Sequence, residues 1–347
     1  MAADRSILDI PPGTARAHFP EGFGPRFLLT VDTEEEFDWA APFSRTGHRL
    51  DHVARLAKFQ QFCEGLGVAP VYLVDWPVAS SPAARDILAP AVAAGRAEIG
   101  LQLHPWVNPP HREEVCPGNS FPGNLPPALE RDKLTALSEL VTRTFGAAPI
   151  IYRAGRYGAG PHTAALLAEA GIAVDSSVRA GFSYAAEGGP DYIGHPTTPY
   201  WVGPGQGVLE LPLTTAFWGL LRNHGRRIYA ATGRAEAVRG LLARTGLLER
   251  IALTPEGVDS REALRGVDIA LDEGLDVLVL SFHSPSLVPG NTPYVHDEAG
   301  LDRLYDWWRT VCAYLLQRGV QPASVAEIVA AARAARHPSL ATGAHPR

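Results

Sequence analysis

The sequence predicts an α/β fold in which helices cover a parallel sheet, closed into a barrel or left open. From residue 26 onward, about seven apolar runs of strand-forming residues alternate with helical segments, the order that gives parallel strands. No break in composition divides them, so residues 26–336 read as one domain. The runs also end repeatedly in acids, imidazoles or guanidinium groups, and in parallel α/β folds the C-terminal strand ends share one rim.

Residues 1–25 carry Pro and Gly without periodicity and are expected to lie over the surface of the domain. The run Arg26-Phe27-Leu28-Leu29-Thr30-Val31 suits a strand covered on both faces. The acids at its end, Asp32, Glu34, Glu35 and Glu36, are either delivered to a site or form a solvated acidic turn. Residues 50–66 place Val53, Leu56, Phe59, Phe62 and Cys63 on one helical face, and Gly67 stops the helix. Residues 69–74 form a second strand, and 82–94 a helix with Pro82 in its first turn and Gly95 past its end.

The third strand, 97–103, runs into a proline-rich loop from His104 to His111 that excludes a helix. The chain stays irregular as far as Pro127, the mark of a functional loop or of disorder. A helix over 127–145, a strand over 149–152 and a helix over 161–170 follow, then a short strand, 172–174, before Asp175-Ser176-Ser177. Residues 181–207 read as loop, 208–213 as strand and 234–245 as helix. Residues 276–282 are the most strand-like of the chain and deliver His283; helices over 300–318 and 325–335 flank a short strand near Val320. Residues 337–347 have the composition of a disordered tail.

Lys and Arg number 31 against 37 Asp and Glu, a formal charge of −6, so no nucleic-acid partner is expected. Cys63, Cys116 and Cys312 form no Cys-x-x-Cys pair, which excludes a thiolate zinc cluster and a disulfide framework and predicts reduced thiols. The N-terminus lacks the apolar core of a secretory signal, and no apolar run approaches the roughly 18 residues of a membrane span. The expected location is the cytoplasm, and the expected substrate a small molecule rather than a finished extracellular polymer.

The strand ends supply Asp32, Glu34, Asp75, Gln102, His104, Arg153, Arg156, Asp175 and His283. Singly, each has a plain structural use: Arg153 neutralises a rim carboxylate, and Asp175 before two serines suits a helix N-cap. Converging on one rim, an acid, two histidines and an arginine predict a catalytic site. Trp39, Trp76, Trp106, Tyr157, Tyr200 and Trp201 fall on or near the same rim, as packing or as faces for a sugar ring.

The order TVDTEE (30–35), EIGLQLHPW (98–106), YRAGRYG (152–158), VDSS (174–177) and LSFHSPS (280–286) resembles the five motif blocks of the polysaccharide deacetylase superfamily, the NodB-homology domain. HPWVNPP and SFHSPSLVPGNTPY are similar to its WalW-type branch, and the likeness spans about residues 26–330. The resemblance implies a distorted (β/α)7 barrel of the glycoside hydrolase/deacetylase type. It implies a hydrolase removing N- or O-acetyl groups from sugars, or cutting related C–N bonds, with a divalent metal, usually zinc.

By the same resemblance, Asp32 is the catalytic base, Arg153 orients it, and His283 is the general acid for the leaving group. Glu34 and His104 hold the metal, while Trp106, Arg156, Tyr157 and Asp175 contact a small acetylated carbohydrate or glycan precursor. Gln102 stands where the family offers the first of two histidines, and Thr33 where many members carry a metal-binding aspartate. Three readings follow: Asp32, Glu34 and His104 make a thinner metal site, His111 swings in as a ligand, or the barrel binds a glycan without cutting it. Amide or imide cleavage on a small non-sugar molecule is a further alternative.

Overall fold

The computed structural model describes residues 5–232 and 235–336. The expected disordered tail, 337–347, lies outside the described residues, as do the first four residues of the N-terminal segment.

Seven parallel strands form the centre: β1 (Arg26–Thr33), β2 (Val71–Val74), β3 (Glu98–Leu103), β4 (Ile151–Ala154), β5 (Val174–Asp175), β6 (Val208–Glu210) and β7 (Val277–His283). Their order across the sheet is β7-β1-β2-β3-β4-β5-β6. The last parallel strand therefore pairs with the first, setting Asp32 opposite His283. Tyr200–Val202 adds an antiparallel strand to β6, and Gln321–Pro322 pairs with the start of β1.

The sheet curls, and its two ends are joined by single residues rather than by a ladder. Thr214 donates its N–H to the Val279 carbonyl at 3.1 Å and accepts the Val279 N–H on its hydroxyl at 2.8 Å. Leu253 donates to the Thr214 carbonyl and accepts from the Ser281 N–H. Thr214 and Leu253 thus stand where an eighth strand would fit, which makes the molecule a distorted seven-stranded barrel.

Alternation along the strands separates two cores. Leu28, Val71, Leu73, Ile151, Val174, Leu209, Val277 and Val279 fill the base of the barrel, closed below by Val325, Ile328 and Val329 of helix Val325–Arg336. Phe27, Leu29, Val31, Tyr72, Leu101, Leu278 and Leu280 face outward against helices Val53–Gly65, Pro82–Ala93, Pro127–Phe145 and Glu298–Gln317. Each such buried aliphatic side chain stabilises the fold by roughly 1.5–3 kcal/mol. Above the inner core the inward positions turn polar: Leu28 is followed two residues on by Thr30, then Asp32.

Parity corrects one expectation. Asp175 is one residue out of phase with inward-facing Val174 and does not reach the rim; its buried carboxylate accepts the Ser177 hydroxyl at 2.6 Å beside Glu210. Nor does it cap a helix among the described residues. The strand expected over 208–213 stops at Glu210, and the expected loop 181–207 contains the Tyr200–Val202 strand. An antiparallel pair, Thr215–Trp218 with Glu249–Ala252, and helices Gly225–Thr232 and Ser260–Asp272 lie where the sequence announced little. The Ser260 helix does carry a legible start, because Asp259 and Glu262 form a reciprocal capping box.

Glu130, on the Pro127–Phe145 helix, is buried and accepts the Thr163 hydroxyl at 2.6 Å. Burial pushes its pKa up to about 7, with the Asp175 charge adding to the effect. An acid raised in the folded state contributes stability that is complete below about 4.5 and is lost as pH rises through about 7. Glu130→Gln is therefore expected to flatten the fall in melting temperature between pH 5 and 8, the wild type losing up to about 3 kcal/mol there. Parallel melting curves for the two proteins would remove Glu130 from this role.

Candidate active site

Thr30 and Asp32 share the inward face of β1 and Glu34, one residue past its end, continues the row, whereas Thr33 turns the other way and donates its hydroxyl to the Val31 carbonyl at 2.9 Å. Beneath Asp32 lies Arg153, fully buried on β4. Its guanidinium pairs with the Asp32 carboxylate, donates to the Thr30 hydroxyl at 3.0 Å, and reaches the Ser176 carbonyl and hydroxyl at 2.9 and 3.1 Å. Asp32 thereby has a fixed counter-charge and one orientation.

The three glutamates that follow part company, and all are buried, at 3, 0 and 4 % exposure, so the run is no solvated turn. Glu34 points into the cavity described below; its Oε2 accepts the Gln102 side-chain N–H at 3.0 Å and lies 3.4 Å from His104 Nε2. Burial drives its pKa up to about 8, with His283 and His104 pulling it back. Glu35 turns behind His104, accepting its Nδ1–H at 2.8 Å and the Trp106 indole N–H at 2.7 Å. Glu36 binds His52, whose other ring nitrogen meets the Ser284 hydroxyl at 2.9 Å. Buried carboxylates need such partners, and the chain supplies a different set for each.

Asp75, after β2, caps the short helix Trp76–Ala79 through the Val78 N–H and accepts the Glu35 N–H at 2.7 Å. Burial, reinforced by Glu35, raises its pKa well above the carboxylate range. His104 is pinned on two sides, by Glu35 at Nδ1 and by Trp106 stacked on its ring at 4.4 Å, which leaves Nε2 facing Glu34. Trp106 is thus a support for His104, buried behind it, and not part of the cavity wall where the sequence reading put it.

His283 ends β7 with its Nε2 3.7 Å from Asp32 Oδ2. Its Nδ1 and backbone N–H both go to Glu256, at 2.7 and 3.1 Å, and the Ser286 hydroxyl donates to the same carboxylate at 2.6 Å. Burial pushes the imidazole pKa down, but the carboxylates of Glu256, Glu34 and Asp32 overcome it and hold it at about 10. It is an imidazolium at neutral pH. Glu256 was invisible in the sequence: it follows the Glu249–Ala252 strand, which no apolar run announced, and a lone Glu in Thr-Pro-Glu-Gly reads as turn.

Asp32, Glu34, Gln102, His104 and His283 form one wall of a cavity of about 340 Å³, near the lower end of small-molecule pockets. Phe37, Trp39, Phe43, Ala154, Arg156, Tyr157, Arg179, Tyr184, Glu187 and Tyr294 form the rest. Arg156 and Tyr157 are placed there by two successive left-handed residues, φ 55° and 60°, which cost on the order of 1 kcal/mol each. Gly155 before them is obligatory, since a Cβ would come within 2.4 Å of the Leu103 carbonyl oxygen and 2.5 Å of the His104 ring. Trp76, Tyr200 and Trp201 stay out of the wall. So does His111, exposed on a loop whose path is set by buried Lys133, which donates to the carbonyls of Pro105 and Asn108.

The groups facing the cavity fit a divalent cation. Glu34 offers a carboxylate and His104 an imidazole nitrogen, and the Gln102 side-chain oxygen is buried without a partner among the described residues. The Glu35 hydrogen bond to His104 Nδ1 is the outer support usual for a metal-binding imidazole. Glu35, Asp75 and His104 also bring one ligand atom each within 4.8 Å of one another. The oxygens of Glu35 and Asp75 are already engaged by N–H donors, however, and neither residue opens on the cavity.

A distorted parallel barrel with a buried carboxylate and histidine site at its strand ends is the class that fold and geometry define. No protein-family model matches the chain, and no curated protein matches its sequence. Solved structures do. A protein assigned as a polysaccharide deacetylase from Mycobacterium smegmatis is 18 % identical, with a TM-score of 0.51 over 94 % of this chain and 96 % of that one. Puue allantoinase is 15 % identical, with a TM-score of 0.52 over 97 % and 99 %. At these identities the likeness is one of fold, carried along nearly the whole chain, and nothing in it points to the WalW-type branch.

Proposed function

We propose that this protein is a cation-dependent hydrolase that removes the acetyl group from a small acetylated sugar or glycan precursor. The observation that supports it most is the facing of two supported groups, Asp32 on Arg153 and His283 on Glu256, at 3.7 Å beside Glu34 and His104. Asp32 accepts a proton from the attacking water, and Arg153 keeps its carboxylate aimed. His283, already protonated, gives its Nε2 proton to the departing amine or alcohol. A divalent cation held by Glu34, His104 and the Gln102 oxygen would polarise the acyl carbonyl and make water more acidic. Trp39 offers a ring face to the sugar. Cleavage of another C–N bond in a small molecule needs the same groups, and the fold likeness to an allantoinase keeps that as the second reading. A silent binding protein is the third, and the neutral amide of Gln102 in place of an imidazole is what favours it.

Elemental analysis separates these. The purified protein is expected to hold close to one equivalent of divalent cation and to lose it in Glu34→Ala and in His104→Ala. A wild type without cation after growth in metal-replete medium would overturn the cation-dependent reading and leave the silent binder.

A further inference from the structure

Two guanidinium groups line the cavity and a third, Arg153, lies beneath it; among the described residues Arg179 alone of the three has no acidic partner. Arg153 is matched to Asp32, and Arg156 to Glu187 and the Ser120 hydroxyl. Arg179, four residues past the end of β5, lines the cavity, and its one side-chain hydrogen bond among the described residues is a long contact, 3.5 Å, to the Tyr184 hydroxyl. Its guanidinium lies over the rings of Phe182 and Tyr157, at 3.9 and 5.3 Å from their centroids. Ring packing holds the plane of the group while leaving the rest of its five N–H donors uncommitted. An arginine kept in a half-buried wall with most of its donors free is a ready site for a planar or tetrahedral anion.

We propose that the substrate carries an anionic group, carboxylate or phosphate, and that Arg179 binds it. The inference rests on the hydrolase reading of the cavity and names the substrate class. The other charges of the cavity are matched among themselves, Asp32 by Arg153 and Glu187 by Arg156, whereas Arg179 faces the cavity with its charge unmatched and can hold an anionic group while the acyl group lies against Glu34, His104 and His283. A volume of about 340 Å³ suits one substituted sugar ring better than a polymer.

The test is binding at fixed ionic strength, followed by calorimetry and by the fluorescence of Trp39 in the cavity wall. The probes are N-acetylglucosamine, its 6-phosphate, and the corresponding uronic acid, which share a ring and differ in charge. At least one charged probe is expected to bind the wild type tenfold or more tightly than the neutral sugar. Whether the phosphate or the carboxylate leads names the source of the charge. Arg179→Met is expected to bring all three within about twofold of one another, and Arg179→Lys to keep part of the preference. Equal affinities in the wild type, no binding of any probe, or a preference that survives Arg179→Met would each overturn the proposal. Acetate release from neutral sugars with no charge preference sinks this inference alone, whereas charge preference without acetate release sinks the hydrolase reading alone.

Discussion

Arg153→Met is expected to destabilise the protein by roughly 3–5 kcal/mol, the range for removing one partner of a buried ion pair. Methionine nearly fills the space but supplies no donor, so the Asp32 carboxylate, the Thr30 hydroxyl and the Ser176 acceptors lose their shared partner inside the barrel. Bulk water does not replace the lost donors, because Thr30 and Ser176 are inaccessible and Asp32 opens only on the cavity through its other face. Urea unfolding of the single variants and of Arg153→Met/Asp32→Asn forms a double-mutant cycle, in which removing the charge of Asp32 should recover more than 1 kcal/mol of the loss. Additive losses would mean that the pair is not what holds this part of the barrel.

His283→Ala is expected to keep the fold and the bound cation and to lower turnover by about 10²–10⁴, the usual range for a positioned acid or base. The side chain ends the strongest strand of the chain, and its removal leaves the register between β7 and β1 intact. Glu256→Gln tests the same group from behind. With the wild-type imidazole at about 10, activity should fall as pH rises through that value, because the acid form is lost. Taking away the Glu256 charge should move that limb, and the imidazole titration seen by NMR, to lower pH. An unshifted titration would show that Glu256 only packs against the ring, and full activity in His283→Ala would remove the proton donor from the scheme.

Much of this was legible in the residues, and what was not has physical causes. β1 and β7 are mostly apolar runs of strand-forming residues, so their positions and the side chains at their ends followed directly; that Asp32 and His283 sit opposite each other also needed the pairing of strands about 250 residues apart. Period-two alternation, applied strictly, separates Glu34 from Thr33 and already predicts that Asp175 leaves the rim if Val174 points inward. It does not say where Glu35 and Glu36 go, because the chain has left β1 by then and their directions depend on His104, Trp106 and His52 from other elements. Glu256 and Arg179 were missed for a common reason: both lie on short connections whose neighbours, Glu249–Ala252 and the two-residue β5, give too little pattern to read. Trp106 illustrates the opposite error, an aromatic beside a histidine taken for substrate contact when its indole N–H is needed to satisfy a buried glutamate.

The central claim, that the barrel mouth hydrolyses an acyl group with Asp32 as base, is tested most directly by acetate release from a panel of acetylated sugars and sugar nucleotides, comparing the wild type with Asp32→Asn. The wild type should release acetate from at least one member, and Asp32→Asn should release it at least 10²-fold more slowly while holding the same cation. Undiminished release by Asp32→Asn, or none from any substrate by a wild type fully loaded with cation, would contradict the account.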